Sequence, residues 1–158
     1  MKKNSTEIKW GVIFFISMLI WIGIERAAGL HSTHIDKHAV YTNIFAIVAI
    51  ALYVFALREK REKDYSGTMS WKQGFISGLI ISVVVTVLSP LGQWITHTII
   101  TPDYFSNVIE YSVSSGKMTR EAAEQYFSLG GYVVQSMIGA LVMGVVTSAV
   151  VALFVKKK

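Results

Sequence analysis

Strongly polar side chains interrupt long apolar stretches of this sequence. Within a membrane such groups cost free energy, so each of them is a candidate for a chemical function. The residues that share this feature are Glu25, Arg26, Asn43, Gln93, His97 and Gln135. Each lies near the same end of its stretch, which predicts one outward-open polar pocket. In it, Glu25 would exchange a proton or bind a cation, with His97 or Arg26 as its partner. The alternative is that polar residues collect where helices meet lipid headgroups, and that Arg26 extends toward them.

A second group of candidate ligands lies in the histidine-rich segment 31–38. Imidazole and carboxylate groups suit zinc and similar ions, and the residues of this kind are His31, His34, Asp36 and His38. His34 and His38 are four residues apart and could share one helical face. The segment matches no standard metal motif, and Lys37 adds a positive charge. The sequence therefore predicts no bound metal or cofactor, with these side chains as the candidates if an ion binds.

Several other classes of protein are disfavoured by composition and motifs. The chain has no cysteine, which excludes a disulfide, a thiolate nucleophile and a cysteine metal site. It has no phosphate loop, nucleophile elbow or dinucleotide fingerprint. Its 15 Lys and Arg residues exceed its 10 Asp and Glu residues, but they form short clusters between apolar stretches, as orientation signals do. We therefore predict neither an enzyme nor a nucleic-acid partner.

The elements that must position these side chains are four apolar stretches. Hydrophobic residues make up 53% of the 158 residues, and each stretch approaches or exceeds the roughly 20 residues that cross the hydrocarbon. We predict a single all-α domain, an integral membrane four-helix bundle with spans at about 8–30, 39–57, 73–100 and 132–155. The third span is long enough to need a tilt or a bend, and Pro90 offers a place for one.

The first stretch could instead be a cleaved signal peptide. Lys2 and Lys3 would form its basic start, and the small residues 27–29 its cleavage site. The charged residues Glu25 and Arg26 immediately before that site favour a retained helix.

Positive charge predicts the orientation of the bundle. One side holds eleven of the fifteen positive residues: Lys2, Lys3, Lys9, Arg58, Lys60, Arg61, Lys63, Lys72 and Lys156 to Lys158. The other side holds Arg26, Lys37, Lys117 and Arg120. Since the more positive side of a membrane protein faces the cytoplasm, both termini and the 58–72 loop are predicted to be cytoplasmic.

Small residues repeat every four positions along the third and fourth spans. The third carries Gly74, Gly78, Ser82 and Thr86, and the fourth carries Ser136, Ala140, Gly144, Ser148 and Ala152. Helices in lipid associate through close contact of such residues. We predict that the two ridges face each other, within one chain or between copies. Membrane lipids are the expected surroundings, with a homo-oligomer or a membrane-protein partner as further options.

The segment 101–131 outside the membrane is predicted to form two short amphipathic helices. Thr101 would cap the first, with Pro102 at its first position. Thr119 would cap the second, which would end at 130–131. These helices either connect the third and fourth spans or cover an outward-facing cavity.

Several segments together are distinctive of one family. They are Leu30-His31-Ser32 with His38 and Tyr41-Thr42-Asn43; 56–61; 73–78; Leu88-Ser89-Pro90-Leu91; 100–105; and 139–144. Over nearly its whole length the chain resembles the bacterial membrane-protein family catalogued as domain of unknown function 4199 (DUF4199). The resemblance implies a multi-helix protein of the bacterial inner membrane and carries over no catalytic or binding residues.

Two functions remain open from the sequence. The first is a non-enzymatic membrane component that binds another helix, a lipid or a protein partner. The alternative is a small oligomeric transporter or channel for an ion or small solute, which would use the outer polar cluster. The inner halves of the spans contain little beyond apolar residues, Ser, Thr and Gly, and this favours the first function.

Overall fold

The computed structural model describes residues 4–157, which form helices joined by turns. The elements in chain order are α1 (Ser5–Ala27), α2 (Ile35–Tyr41), a 3-10 turn (Thr42–Ile44), α3 (Phe45–Asp64), α4 (Trp71–Ile95), a π-helical turn (Thr96–Ile100), α5 (Tyr104–Ser114), α6 (Arg120–Tyr126) and α7 (Leu129–Val155). The helices long and apolar enough to span a membrane are Ser5–Ala27, Ile35–Asp64, Trp71–Ile100 and Leu129–Val155. The prediction of an all-α four-helix membrane bundle is confirmed.

The bundle has its large apolar side chains outside and many small hydroxyl groups inside. Ile47 is 70% exposed and Phe154 is 82% exposed, while Ser82 and Ser148 are buried. Lipid tails are as apolar as leucine, so large side chains gain nothing from burial and the helices associate through close backbone contact. The exposed surface of the spans therefore suits a lipid environment.

The helices α4 and α7 make that close contact along their small residues. A Cβ atom at Gly78 would come within 2.6 Å of the Cβ of Ser148, and one at Gly144 within 2.5 Å of the Cβ of Ser82. Ser82 also exchanges a hydrogen bond of 2.8 Å with the hydroxyl of Tyr53 on α3. The two ridges thus meet within one chain.

Contact along the α7 ridge is closest in its second half. Gly144, Ser148 and Ala152 are buried, and a Cβ at Gly74 would lie 3.2 Å from the Cβ of Ala152. Ser136, nearer the start of α7, is only half-buried, and its hydroxyl donates to a carbonyl of its own helix. Ala140 is half-buried against the core cluster.

The two ends of the bundle differ in what they contain. The terminal end holds the start of α1, the 65–70 loop and Lys157, which exchanges two backbone hydrogen bonds with Met69. The cap end holds the 28–34 turn and residues 101–128. Which end faces the cytoplasm stays a prediction, and three of the charges counted for it, Lys2, Lys3 and Lys158, lie outside the described residues.

A buried ion cluster joins three helices at the terminal end. The Nζ atom of Lys60 on α3 lies 2.8 Å from Oε1 of Glu7 on α1 and 2.8 Å from Oδ2 of Asp64. The hydroxyl of Ser77 on α4 donates to the same Glu7 oxygen at 2.9 Å. From the sequence, Lys60 counts only as an orientation charge, and its burial is a finding of the structure.

The long third span stays helical through its proline. Pro90 lies inside α4, which continues to Ile95. The irregularity comes later, where the π-helical turn closes with a 2.7 Å bond from the amide of Thr101 to the carbonyl of Thr96. The expected role of Thr101 as a helix cap is therefore wrong: its hydroxyl donates to the Thr96 carbonyl, and Asp103 precedes α5.

The second outer helix starts where the sequence predicts. The hydroxyl of Thr119 accepts a hydrogen bond from the amide of Ala122 and caps α6. The helix ends at Tyr126, earlier than predicted, because Ser128 caps the next helix by accepting from the amide of Gly131. The last span consequently begins at Leu129 rather than near 132.

Candidate functional site

A cavity of about 160 Å³ lies at the cap end of the bundle. Its polar wall comes from the helices α1, α2, α4, α5 and α7 and from the turns between them. The charged or strongly hydrogen-bonding side chains in that wall are Glu25, His31, His38, Gln93, His97 and Tyr104. The sequence is thus folded so that distant polar residues converge on one space.

Glu25 lies in the last full turn of α1 and faces this cavity. Its side chain is buried, with 3% exposure. Trp21, one helical turn earlier, donates its indole Nε1–H to Oε1 of Glu25 at 2.7 Å. Residues four apart lie on one helical face, so α1 alone places this donor. The second carboxylate oxygen is left for partners from elsewhere in the chain.

A glycine turn brings His31 back over Glu25. Gly29 has a φ of +76°, a conformation that glycine adopts without steric cost. The amide of Leu30 bonds the carbonyl of Glu25 at 3.0 Å, and the amide of Gly29 bonds that of Arg26 at 2.9 Å, as in a Schellman ending. This reversal puts Nε2 of His31 at 3.3 Å from Oε2 of Glu25.

His38 completes a group of three around that carboxylate oxygen. It lies on α2, and its Nε2 is 3.7 Å from Oε2 of Glu25. One ligand atom from each of Glu25, His31 and His38 lies within 4.8 Å of the other two. These are the residues that could hold a metal ion. The other metal candidates, His34 and Asp36, are exposed and lie outside this group.

Tyr104, from the first turn of α5, covers the imidazoles. It is 4% exposed, and burial raises the pKa of its hydroxyl well above the ordinary value, so the group stays neutral. The hydroxyl lies 3.5 Å from Nδ1 of His38 and 3.1 Å from the hydroxyl of Tyr132. Asn107 anchors α5 further by donating to the carbonyl of His31 at 3.0 Å. Of the two roles considered for the outer segment, covering a cavity is the one that α5 performs.

His97 forms another part of the wall, in the π-helical turn that follows α4. Its Nε2 lies 3.1 Å from Oε1 of Gln93, one turn earlier. Its ring stacks on Phe105 with 4.1 Å between centroids. Its Nδ1 is buried without a hydrogen-bond partner among the described residues. His97 is thus held by ring contacts and one polar partner, apart from the Glu25 group.

A family model described as protein of unknown function (DUF4199) matches residues 9–157. The chain belongs to the DUF4199 family. The resemblance seen in the sequence is confirmed, and the match includes every residue of the cavity wall. No curated protein and no solved structure matches the chain, so the site of this DUF4199 protein is interpreted from its own geometry.

Three of the six polar residues singled out in the sequence line the cavity of this DUF4199 protein: Glu25, Gln93 and His97. Arg26 does not, because successive helical residues differ by about 100° in direction. It is exposed and lines a neighbouring cavity of about 220 Å³, together with Asp103 and Asn107.

The other two singled-out residues also lie elsewhere. Asn43 is exposed, and its amide donates to the carbonyl of Ala39 at 2.6 Å. Thr42, directly before it, takes its place in the cavity wall. Gln135 on α7 is exposed, and the nearest wall residue on that helix is Tyr132.

Sequence reasoning missed the tyrosine wall and the pairing of His31 and His38 with Glu25. One signal was available: Trp21 and Glu25 are four apart, which places an indole donor beside the acid. The contribution of Tyr104 gives no such signal, since it lies 79 positions after Glu25 along the chain.

Proposed function

We propose that this DUF4199 protein is a non-enzymatic membrane component that binds a small cation in the cap-end cavity. One observation carries the proposal: the Glu25 carboxylate is 3% exposed and faces the cavity. Its ionic neighbours are two histidines rather than a permanent cation. A buried carboxylate needs a positive partner, and a cation from solution would supply one.

The α1–α4 interface next to the cavity supports binding rather than passage. A Cβ atom at Gly92 would meet the side chains of Phe15 and Met18 at 3.0 Å, and one at Gly11 would overlap Val84. Such close contact leaves no space for a hydrated ion between these helices. A transporter would need this interface to open, so transport remains the less supported alternative.

The charge distribution predicts that the cavity lies on the outer side of a bacterial inner membrane. Membrane lipids would surround the spans. The small-residue ridges of α4 and α7 pack against each other within one chain. These surfaces therefore give no argument for a homo-oligomer that would form through them.

The test uses the absence of native cysteine. Thr42→Cys places a thiol in the cavity wall, and its reaction rates with a trimethylammonium-ethyl and a sulfonatoethyl methanethiosulfonate reagent are compared. The exposed Ser115→Cys variant corrects for intrinsic reactivity. One unit charge at about 6 Å and an effective dielectric of roughly 40 contributes about 1.4 kcal/mol. The carboxylate attracts the cationic reagent and repels the anionic one by this amount each, so the two rates differ by about 2.8 kcal/mol. We therefore expect about a hundredfold preference for the cationic reagent, which is lost when Glu25→Gln is added.

Two results would contradict the proposal. Equal rates with both reagents, or a preference that persists with Glu25→Gln, would show that the carboxylate does not attract cations into the cavity. An unreactive Thr42→Cys thiol in a folded protein would show that the cavity is closed to solutes.

A further inference from the structure

We infer that Glu25, His31 and His38 form a binding site for a divalent transition-metal ion, with zinc as the best match. The inference rests on the proposed function, because it names the class of cation that the cavity takes. It concerns only the three side chains around Oε2 of Glu25, and not the remaining wall of the cavity.

The distances within the group suit one ion. Zinc binds nitrogen and oxygen at about 2.0–2.2 Å in tetrahedral geometry, which separates neighbouring ligand atoms by about 3.3–3.6 Å. The observed separations from Oε2 of Glu25 are 3.3 Å to His31 and 3.7 Å to His38. The three ligand atoms all lie within 4.8 Å of one another. Small rotations of the two imidazoles are therefore enough to close the group around an ion.

The ligand chemistry points the same way. Two imidazoles and one carboxylate form a known zinc ligand set, in which a fourth position stays open to water or another molecule. Calcium and magnesium prefer oxygen ligands, which are the minority here. The open position would face the cavity, so a bound ion could in turn hold a small anionic or neutral ligand.

Neighbouring residues orient two of the three ligands. Trp21 holds Oε1 of Glu25 at 2.7 Å and leaves Oε2 for the imidazoles. The hydroxyl of Tyr104 lies 3.5 Å from Nδ1 of His38, the ring nitrogen opposite the proposed ligand atom. Metal-binding histidines commonly have such a partner on the second nitrogen.

His31 carries an additional indication. It is 7% exposed, and its Nδ1 is buried with no hydrogen-bond partner among the described residues. The polar contact of its ring is therefore the one that Nε2 makes with Glu25. This contact directs Nε2 toward the shared oxygen, as a ligand role requires, while Nδ1 lacks, within the described part of the chain, the outer partner that Tyr104 gives to His38.

The test is titration of the purified full-length protein in detergent with Co²⁺, followed by displacement with Zn²⁺. Tetrahedral Co²⁺ gives intense visible absorption bands, whereas an octahedral, loosely bound ion gives only weak ones. We expect saturable binding of about one ion per chain. His31→Ala, His38→Ala and Glu25→Gln should each weaken binding by more than about 100-fold, beyond the 10–100-fold typical of residues that only orient a ligand.

The exposed histidine of the same segment is the matched control. His34→Ala removes an imidazole that lies outside the group of three and outside the cavity wall. This variant should bind Co²⁺ as the wild type does. Should Glu25→Gln fail to fold, the His38→Ala and His34→Ala pair decides the question, since His38 is half-buried on a surface helix.

The outcomes separate this inference from the proposed function. Wild-type protein without saturable tetrahedral Co²⁺ binding, or equal losses in His34→Ala and His38→Ala, overturns the metal site. If the Thr42→Cys experiment still shows a Glu25-dependent preference for the cationic reagent, the proposed cation cavity stands without the metal. If that preference is also absent, both fail.

Discussion

The indole Nε1 of Trp21 donates a hydrogen bond of 2.7 Å to Oε1 of Glu25, one turn later in α1. The bond fixes the carboxylate so that its other oxygen, Oε2, faces His31 and His38. Trp21 is therefore a positioning residue: it does not reach the proposed ion, and it determines which oxygen does.

Replacing this donor should weaken metal binding without disrupting the bundle. Trp21→Phe keeps an aromatic ring against Phe45, whose centroid lies 5.9 Å away. We expect Co²⁺ affinity to fall by about 10- to 100-fold, the range for outer-shell partners. Trp94→Phe, at a half-exposed site outside the cavity wall, is the control. Equal Co²⁺ affinity in wild type and Trp21→Phe would show that the indole has no positioning role.

The α4–α7 contact predicts a large cost for added volume. Gly78→Ile or Gly144→Ile places a branched side chain where a single Cβ already overlaps the facing serine. We expect losses of at least about 1–3 kcal/mol in the free energy of unfolding, as for overpacked cores, or failure of the variants to fold. The free energy of unfolding of each variant is measured by titration with sodium dodecyl sulfate, with circular dichroism as the signal for helix content.

The matched control for this prediction is Val145→Ile. Val145 follows Gly144 directly but is 43% exposed on the outer face of α7, so one more methylene should change stability by less than about 0.5 kcal/mol. Similar losses for all three variants would mean that α7 is sensitive to volume at any position, and that the ridge has no special role.

The ion cluster at the terminal end predicts coupling between Glu7 and Lys60. Lys60→Met leaves the carboxylate of Glu7, which is 1% exposed, without its cation. Breaking a buried pair on one side is costly, and near the end of the bundle we expect roughly 1–3 kcal/mol. Adding Glu7→Gln should recover part of that loss in a double-mutant cycle.

The control for the ion cluster is an exposed pair on the same helix. Lys63 lies 2.7 Å from Glu59, and its side chain is 61% exposed. Lys63→Met should therefore destabilise the fold much less than Lys60→Met does. Strictly additive effects of Glu7→Gln and Lys60→Met would argue that the buried contact does not stabilise the fold.

The charge distribution predicts the orientation of the two ends. Ser66 lies in the loop at the terminal end and Ser115 in the cap, and both are exposed. In intact cells, a membrane-impermeant maleimide should label Ser115→Cys, while Ser66→Cys should react only after permeabilisation. Labelling of Ser66→Cys from outside would reverse the proposed orientation and place the cavity on the cytoplasmic side.

The sequence by itself determined that the protein is an all-α membrane protein and that it has four spans. Apolar stretches near 20 residues long need nothing beyond their own composition to identify them as membrane helices. Local rules also worked at Thr119, where a hydroxyl caps the helix that follows it. They failed at Thr101, because a π-helical turn from the preceding span continues through that position. A cap depends on a few neighbouring residues, and the point where a long helix ends depends on what it contacts.

Only the tertiary structure decided which polar residues share a site. Membrane depth suggested six candidates, and depth alone cannot give the direction in which each side chain points. Arg26 and Asn43 lie at the depth of Glu25 yet face away from the cavity. His31 reaches Glu25 because a positive φ at Gly29 reverses the chain. Local sequence can encode that turn, whereas the arrival of Tyr104 from α5 depends on helices packed across the whole bundle.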